Sequence, residues 1–509
     1  MSQHLFSSLY SKGIPFALID TRERRDHVNG HWFGSTNIPL SVLSIQIERY
    51  VPERNFSIHL LDWQDVASEA AANLLLKLGY THIERHATSK PNGFGSGFVK
   101  GEFVWSKAFG EVLAHTCGIP EITPADYRAQ YRASRLFDVR PTAEYTQFTI
   151  PGSQSLPNSL LLTNMGALQD TGKCALLHCA GRTRSIIGAC TLKAAGYQGP
   201  FVIFKGGTQA WQLDGLEREF NANRIFATES DNSKPARRFL DTWKIAYTQV
   251  DDANIKSFVA THRSHLLFDV SDDAASGQLA CHNILKVSGT NLIQQTDRSI
   301  ARYHVPVMLF DHGSGSRAAF AAYWLQLMGF KVSVAYLTTA LPSAENENEN
   351  HHALETPCPQ FSIDQLISYQ QASGKIYDFR PSKAFSQAHL EGSEWKNIST
   401  VISDAFNRKE SIALIGSDIT HAITSAQLLR QHGFDVAGWY CWETSDIHPG
   451  HIQTGSIESP IDESALFAGR HDGNMQDSRD YLAWEEALPE NIDQLLNREW
   501  LERLRTQNN

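Results

Sequence analysis

Long apolar runs are missing from this sequence. No segment approaches 18 continuous apolar residues, so membrane insertion is not expected. The opening MSQHLFSSLYSKGIPFALIDTRE has no basic stretch leading into an apolar one, which argues against export. Cysteine is sparse: seven residues, none in a C-x-x-C pair, exclude a disulfide framework and a zinc ligand set. A cytoplasmic protein without a metal is expected. A basic stripe is also lacking, because 45 Lys and Arg are interspersed among 55 Asp and Glu for a net charge of −10. Nucleic acid is therefore not an expected partner.

What is present is an ordinary globular composition, 42% hydrophobic and 20% charged, spread over 509 residues. That length exceeds a single core and points to three or four domains at roughly 150 residues each. Self-similarity organises the chain. An apolar stretch ending in aspartate recurs as ALIDTR (Asp20, Arg22), LFDVR (Asp138, Arg140), LLFDVS (Asp269) and IYDFR (Asp378, Arg380). A second apolar run follows each as IHLLD, ALLHC, VMLFD and IALIG, ending at Asp62, Cys179, Asp311 and Gly416. The aspartate-to-end offsets are 42, 41, 42 and 38 residues, too regular for independent accidents.

After each second run come a short polar loop and a helix-like stretch closed by Gly79, Gly196, Gly329 or Gly433, glycine suiting the left-handed residue that ends a helix. Runs such as FVIF and VSVAYL then read as buried strands. The pattern implies an α/β fold of four tandem domains, each a central parallel sheet flanked by helices. The clearest linker is ALPSAENENENHHALETPCP, from Ala340 to Pro359. Weaker junctions fall near His115 to Pro120 and Thr228 to Pro235. Beyond about Gly450 the repeat stops, and SRDYLAWEEAL and IDQLLNREWLERLR read as amphipathic helices of a tail expected to pack on a neighbouring domain.

One loop carries chemistry. The strand ALLHC delivers Cys179 into Ala180, Gly181, Arg182, Thr183 and Arg184, and a helix follows near Ser185. Amides converging at a helix N-terminus form an anion-binding nest. Arg182 and Arg184 are expected to strengthen that field, lower the thiol pKa and offer forked donors to an anionic substrate, with Gly181 permitting a tight turn.

These residues resemble the rhodanese-like family, and the four units together resemble bacterial tandem-rhodanese sulfurtransferases over about residues 1–450. The likeness is strongest in the second unit, where LFDVRPTAEY, IPGSQSLP, LLHCAGRTRS and FKGGTQAW follow in the family's order. It implies rhodanese-like domains at 1–114, 118–225, 236–340 and 358–450, with a helical tail at 451–509. Only the second would be catalytic. The implied reaction is double displacement, in which Cys179 takes the outer sulfur of a small anionic donor as a persulfide and passes it to a thiol, cyanide or protein-thiol acceptor, with no cofactor and no metal. The amides from Ala180 to Ser185 would hold the persulfide, and Arg182 and Arg184 the donor's anionic end. The doubly basic loop looks more like thiosulfate-using members than those preferring 3-mercaptopyruvate. Phosphatases of the same fold place arginine six residues after the cysteine, where this chain has Ser185 with Arg184 one position earlier. A sulfur carrier or scaffold serving a protein partner is the alternative from another class.

Around the loop, the family pattern implies that Asp138 and Arg140 tie the strand end to backbone or to Glu144. Trp211 reads as a packed aromatic, and His178 as structural on the opposite strand face. Asp62, Asp311 and Gly416 cannot form a persulfide, so the other three units are expected to be inactive. In the third, Arg317 survives while Asp311 repels anions. Cys190 is judged too far along its helix to resolve a persulfide on Cys179, Cys174 precedes the strand at its far end, and Cys117, Cys281, Cys358 and Cys441 have no basic neighbours in sequence. The segment FGSGFVKGEFVWSKAFGE is longer than a connector needs, and Lys107 or its neighbours are expected to reach the loop and restrict donor entry.

Overall fold

A computed structural model describes residues 5–91, 93–169, 172–228, 231–250, 255–262, 264–271, 276–279, 284–338, 356–403, 410–443 and 449–508. Most of the linker from Ala340, residues 229 and 230 of the weaker junction, and Cys281 lie outside the described residues. The chain folds as two compact units. One comprises residues 1–6, 15–93 and 347–466, the other residues 7–14, 94–346 and 467–509. The first and fourth repeats thus share one unit, and the second and third share the other. The tail divides between them near residue 466.

In the first unit the strands Thr36–Asn37, Phe16–Asp20, Ile58–Asp62 and Ile83–Ala87 lie side by side and parallel. A second parallel sheet there runs Glu394–Trp395, Lys375–Asp378, Ser411–Gly416, Asp435–Cys441. The second unit holds a parallel sheet ordered Glu121–Ile122, Phe201–Phe204, Ala175–His178, Arg135–Asp138, Gln154–Ser155. Its other sheet is parallel from Ala246–Val250 through Val332–Leu337, Val307–Asp311 and Leu266–Asp269 to Leu285–Val287, and ends on an antiparallel strand, Ser276–Leu279. In each of these four sheets the aspartate-ending strand pairs with the strand ending at the loop position. Central strands such as Phe16–Asp20, Ala175–His178 and Val307–Asp311 are buried throughout, as their unbroken apolar runs require. Among the described residues no helix is long and apolar enough to cross a membrane.

The D-x-R motif has one structural job repeated three times. Arg22, Arg140 and Arg380 each fold back onto the preceding aspartate, with Nη2 to carboxylate distances of 2.6, 2.7 and 2.7 Å. Each arginine also donates to the carbonyl eight residues on, of Gly30, Phe148 and Ala388 respectively. The pairs are buried, and the bidentate geometry satisfies carboxylates that would otherwise be costly to desolvate. In the third repeat the arginine is replaced by Ser271, whose hydroxyl donates to Asp269 at 2.6 Å.

At the centre of the second unit is the helix Val104–Cys117, which begins after the glycine-rich segment and buries most of its surface. Trp105 and Phe109 meet Trp500 of the helix Gln494–Asn508 at 5.5 and 5.2 Å between centroids. Phe109 also meets Trp324 of the helix Ser316–Met328 at 6.1 Å. Each such aromatic contributes about 2–3 kcal/mol of burial. Gly110 lets this helix approach the helix Thr183–Ala194, since a Cβ there would stand 2.9 Å from Thr183 Cγ2.

Candidate active site

Cys179 follows the strand Ala175–His178 and precedes the helix Thr183–Ala194 by one short loop. It is 2% exposed and lines a cavity of about 150 Å³, together with the loop from Ala180 to Arg184 and side chains from five other segments. The loop is fixed from behind by FKGG. Thr208 and Gln209 donate their backbone N–H groups to the carbonyls of Cys179 and Ala180 at 3.0 and 3.1 Å. Gly207, at φ +51°, is obligatory for that approach, because a Cβ would fall 2.2 Å from the Cys179 carbonyl oxygen. With those carbonyls held by the helix Gly207–Leu213, the loop is free to turn N–H groups toward the sulfur. Ser185 Oγ lies 3.7 Å from Cys179 Sγ and donates to the Arg182 carbonyl at 2.8 Å.

The two loop arginines do not face the cavity as free cations. Arg182 makes a bidentate pair with Glu111 at 2.8 and 3.0 Å and reaches Glu121 at 3.4 Å and Glu486 at 3.1 Å. Arg184 pairs with Glu144 at 2.7 Å. Burial opposes the charge on each arginine, but the carboxylates outweigh it and raise both above the ordinary guanidinium range. The expected lowering of the thiol pKa is overturned by burial. Burial pushes Cys179 above the ordinary thiol range and Glu485 adds to the rise, while Arg184 and the Ser185 bonds pull it back only in part.

Gly181 also serves a different purpose from the expected tight turn. Its φ is not positive; instead a Cβ would stand 2.9 Å from Glu485 Oε2 and 3.0 Å from Tyr481 Cε1. Glycine is needed so that the helix Met475–Glu486 can close over the loop. That helix presents Tyr481, Trp484 and Glu485 on one face, and Thr183 Oγ1 donates to Glu485 Oε1 at 2.5 Å. Both the segment around Lys107 and the helix Met475–Glu486 therefore line the pocket. Lys107 is 4% exposed, donates to the Glu102 carbonyl at 2.8 Å, and lies over the rings of Trp484, Tyr481 and Phe103 at 4.6, 4.9 and 5.4 Å. Burial brings it down to about 8, with Glu485 pulling the other way. Arg470 lies 5.0 Å from the Tyr481 ring centroid, and among the described residues neither Lys107 nor Arg470 has a carboxylate at ion-pair distance.

Asp138 and Arg140 stand behind the loop as a buried pair, 0% and 1% exposed, with Thr149 Oγ1 donating to Asp138 at 2.8 Å. Arg140 reaches Glu144 at 3.8 Å and so connects the brace to Arg184. His178 is buried against Ser153 Oγ at 2.7 Å. Trp211 packs with Ile122, Leu176 and Phe204 and donates to the Glu217 carbonyl at 2.7 Å, away from the sulfur. In the third repeat Asp311 folds onto its own loop, accepting from the N–H groups of Ala318 at 2.9 Å and His312 at 2.8 Å. The carboxylate thus consumes two donors an anion would need, and burial raises it to about 6. In the first repeat Asp62 pairs with Arg85 at 2.8 Å.

Two further clusters escaped the sequence. Cys190 interacts with Cys117, whose thiol is brought down to about 7 chiefly by that interaction, with Thr116 and Lys193 adding to it against burial. His59, Glu84 and His86 face one another across neighbouring strands of the first unit, and their ligand atoms all lie within 4.8 Å, close enough to hold a metal ion.

The cysteine-bearing loop, its helix and the buried D-x-R brace are those of a rhodanese-like domain, and residues 123–214 match the model of that family. Comparison with curated proteins gives no match. Among solved structures the chain is similar to a thiosulfate sulfurtransferase from Pseudomonas aeruginosa, 24% identical, with a TM-score of 0.79 over 99% of this chain and 98% of that one. At that identity the likeness establishes the fold: several parallel sheets flanked by helices, with a helical C-terminal region. A rhodanese-related protein from Thermoplasma volcanium aligns with 20% of this chain and 97% of its own, at 27% identity and a TM-score of 0.18. A Rhodopseudomonas palustris protein described as a possible tyrosine phosphatase aligns with 22% of this chain and 93% of its own, at 25% identity and a TM-score of 0.20.

Proposed function

We propose that the chain is a cytoplasmic sulfurtransferase that moves sulfane sulfur through a persulfide on Cys179. The observation that carries the reading is that buried Cys179 lines a small cavity just before the start of a helix, with Ser185 Oγ 3.7 Å from its sulfur. In the first half-reaction the thiolate attacks the outer sulfur of thiosulfate, the donor's S–S bond breaks, and sulfite leaves with the bonding electrons. In the second, an acceptor thiolate attacks the outer sulfur and Cys179 departs as thiolate. Loop amides and the helix dipole favour the anionic sulfur in both.

Because Arg182 and Arg184 are committed to glutamates, Lys107 and Arg470 supply the positive potential for an anionic donor. The buried Asp138–Arg140 pair positions Glu144 and through it Arg184. The other three repeats carry no sulfur. Incubation with thiosulfate followed by intact and peptide mass measurement should show roughly one added sulfur atom on the Cys179 peptide and none in Cys179→Ser. A wild-type protein that never gains sulfur from thiosulfate, 3-mercaptopyruvate or a small persulfide would overturn the reading.

A further inference from the structure

The cations nearest the sulfur are claimed, but several acceptors are not. Glu485 is 1% exposed, and while Oε1 takes the Thr183 hydroxyl, Oε2, beside Gly181 in the cavity lining, has no hydrogen-bond partner among the described residues. Gln209, 1% exposed, and Gln294, 8% exposed, also line the cavity, and each has an amide oxygen without a partner among the described residues. A buried carboxylate oxygen left unpaired is costly, and a native site keeps one where a ligand completes it. Three orphaned acceptors around one nucleophile ask for a ligand rich in N–H donors. An anionic donor cannot meet that need.

We propose that the sulfur acceptor is a low-molecular-weight thiol bearing a protonated amine, with its ammonium group bonded to Glu485 Oε2. The proposal rests on the persulfide reading above. The thiol ionises and its proton goes to solvent. The acceptor sulfur then bonds to the outer sulfur of the Cys179 persulfide while the bond to Cys179 Sγ breaks, leaving the pair on Cys179 and releasing the acceptor as its persulfide. The ammonium takes no part in bonding changes; it holds the attacking sulfur near the loop.

The test compares cysteamine with 2-mercaptoethanol at equal thiolate concentration, as acceptors of sulfur from the full-length protein first loaded with thiosulfate. The two differ in the ammonium group. In the wild type the kcat/KM ratio should favour cysteamine by on the order of tenfold to a hundredfold, the range of a charge-assisted hydrogen bond. In Glu485→Gln the ratio should fall to within about threefold of unity, with persulfide loading checked by mass. A wild-type ratio near one overturns the proposal while leaving sulfur transfer intact, and so does a large ratio that survives in Glu485→Gln. Failure of Cys179 to load at all sinks the underlying function instead.

Discussion

Lys107 is a buried cation whose ionisation works against the fold, and replacing it with methionine separates its two effects. Its amine falls from an ordinary 10.5 to about 8, which corresponds to about 3 kcal/mol of disfavoured protonation. The folded protein holds this proton less tightly than the unfolded chain does, so its contribution is most favourable above pH 10.5 and worsens as pH falls to 8, with the full cost standing at pH 7. Lys107→Met should therefore gain on the wild type by about 3 kcal/mol in unfolding free energy between pH 10.5 and pH 7. Denaturant unfolding at several pH values, followed by a probe specific to the second unit, measures it. The same charge should serve the donor. At an effective dielectric of about 20 and a separation of about 5 Å, one unit charge attracts a monoanion by about 3 kcal/mol, and partial hydration reduces this to about 1.5. The KM for thiosulfate should then rise about tenfold at pH 7 in the variant, and the wild-type KM should climb through pH 8 while the variant's stays flat. A KM within about twofold of wild type with an unchanged pH course would refute the donor role, and a pH-independent stability difference would refute the buried-charge argument.

Five other outcomes follow from the same geometry. Arg184→Gln removes the charge that pulls the Cys179 thiol down, so the pH profile of its alkylation by iodoacetamide should move to higher pH, whereas Glu485→Gln should move it lower. Gly181→Ala should lower thiosulfate kcat/KM by about tenfold or more, because its methyl meets Tyr481 and Glu485 and lifts the covering helix off the pocket. Asp138→Asn leaves Arg140 buried without its counter-charge and should cost about 3–5 kcal/mol in denaturant unfolding. Although burial opposes its charge, Asp138 is held at about 2 by Arg140, so the wild-type brace should persist in acid and be lost only as pH falls from about 4 toward 2.

The repeat was legible because strand, loop and helix are local. The aspartate-ended strands and the loop-ended strands alternate at near-constant offsets, and each pair lies side by side in one sheet. Pairing of the first repeat with the fourth was not legible. Nothing periodic in residues 15–93 announces that Ser399 will donate to Glu23, since that hydrogen bond joins residues 376 apart and depends on shape rather than pattern. The role of FKGG was half visible: two glycines signal a close approach, but what they approach, the Cys179 carbonyl, is set by the register of neighbouring parallel strands.

The charge at the site was misread for an instructive reason. A loop containing Arg182 and Arg184 looks basic when its neighbours in sequence are the only charges counted, and on that basis the thiol should be acidic. Folding brings Glu111 from a buried helix, Glu121 from an edge strand, and Glu485 and Glu486 from the last hundred residues onto the same few ångströms. Glu111, Glu121 and Glu486 neutralise Arg182, Glu144 pairs with Arg184, and burial is left as the dominant influence on Cys179, with Glu485 adding to it. The one readable sign was the spacing of Tyr481, Trp484 and Glu485, which sets two aromatics and an acid on one helical face of a segment whose composition is otherwise unremarkable. A face of that kind packs on something that tolerates a buried charge, and in this unit the Cys179 loop, at Gly181, is where it packs.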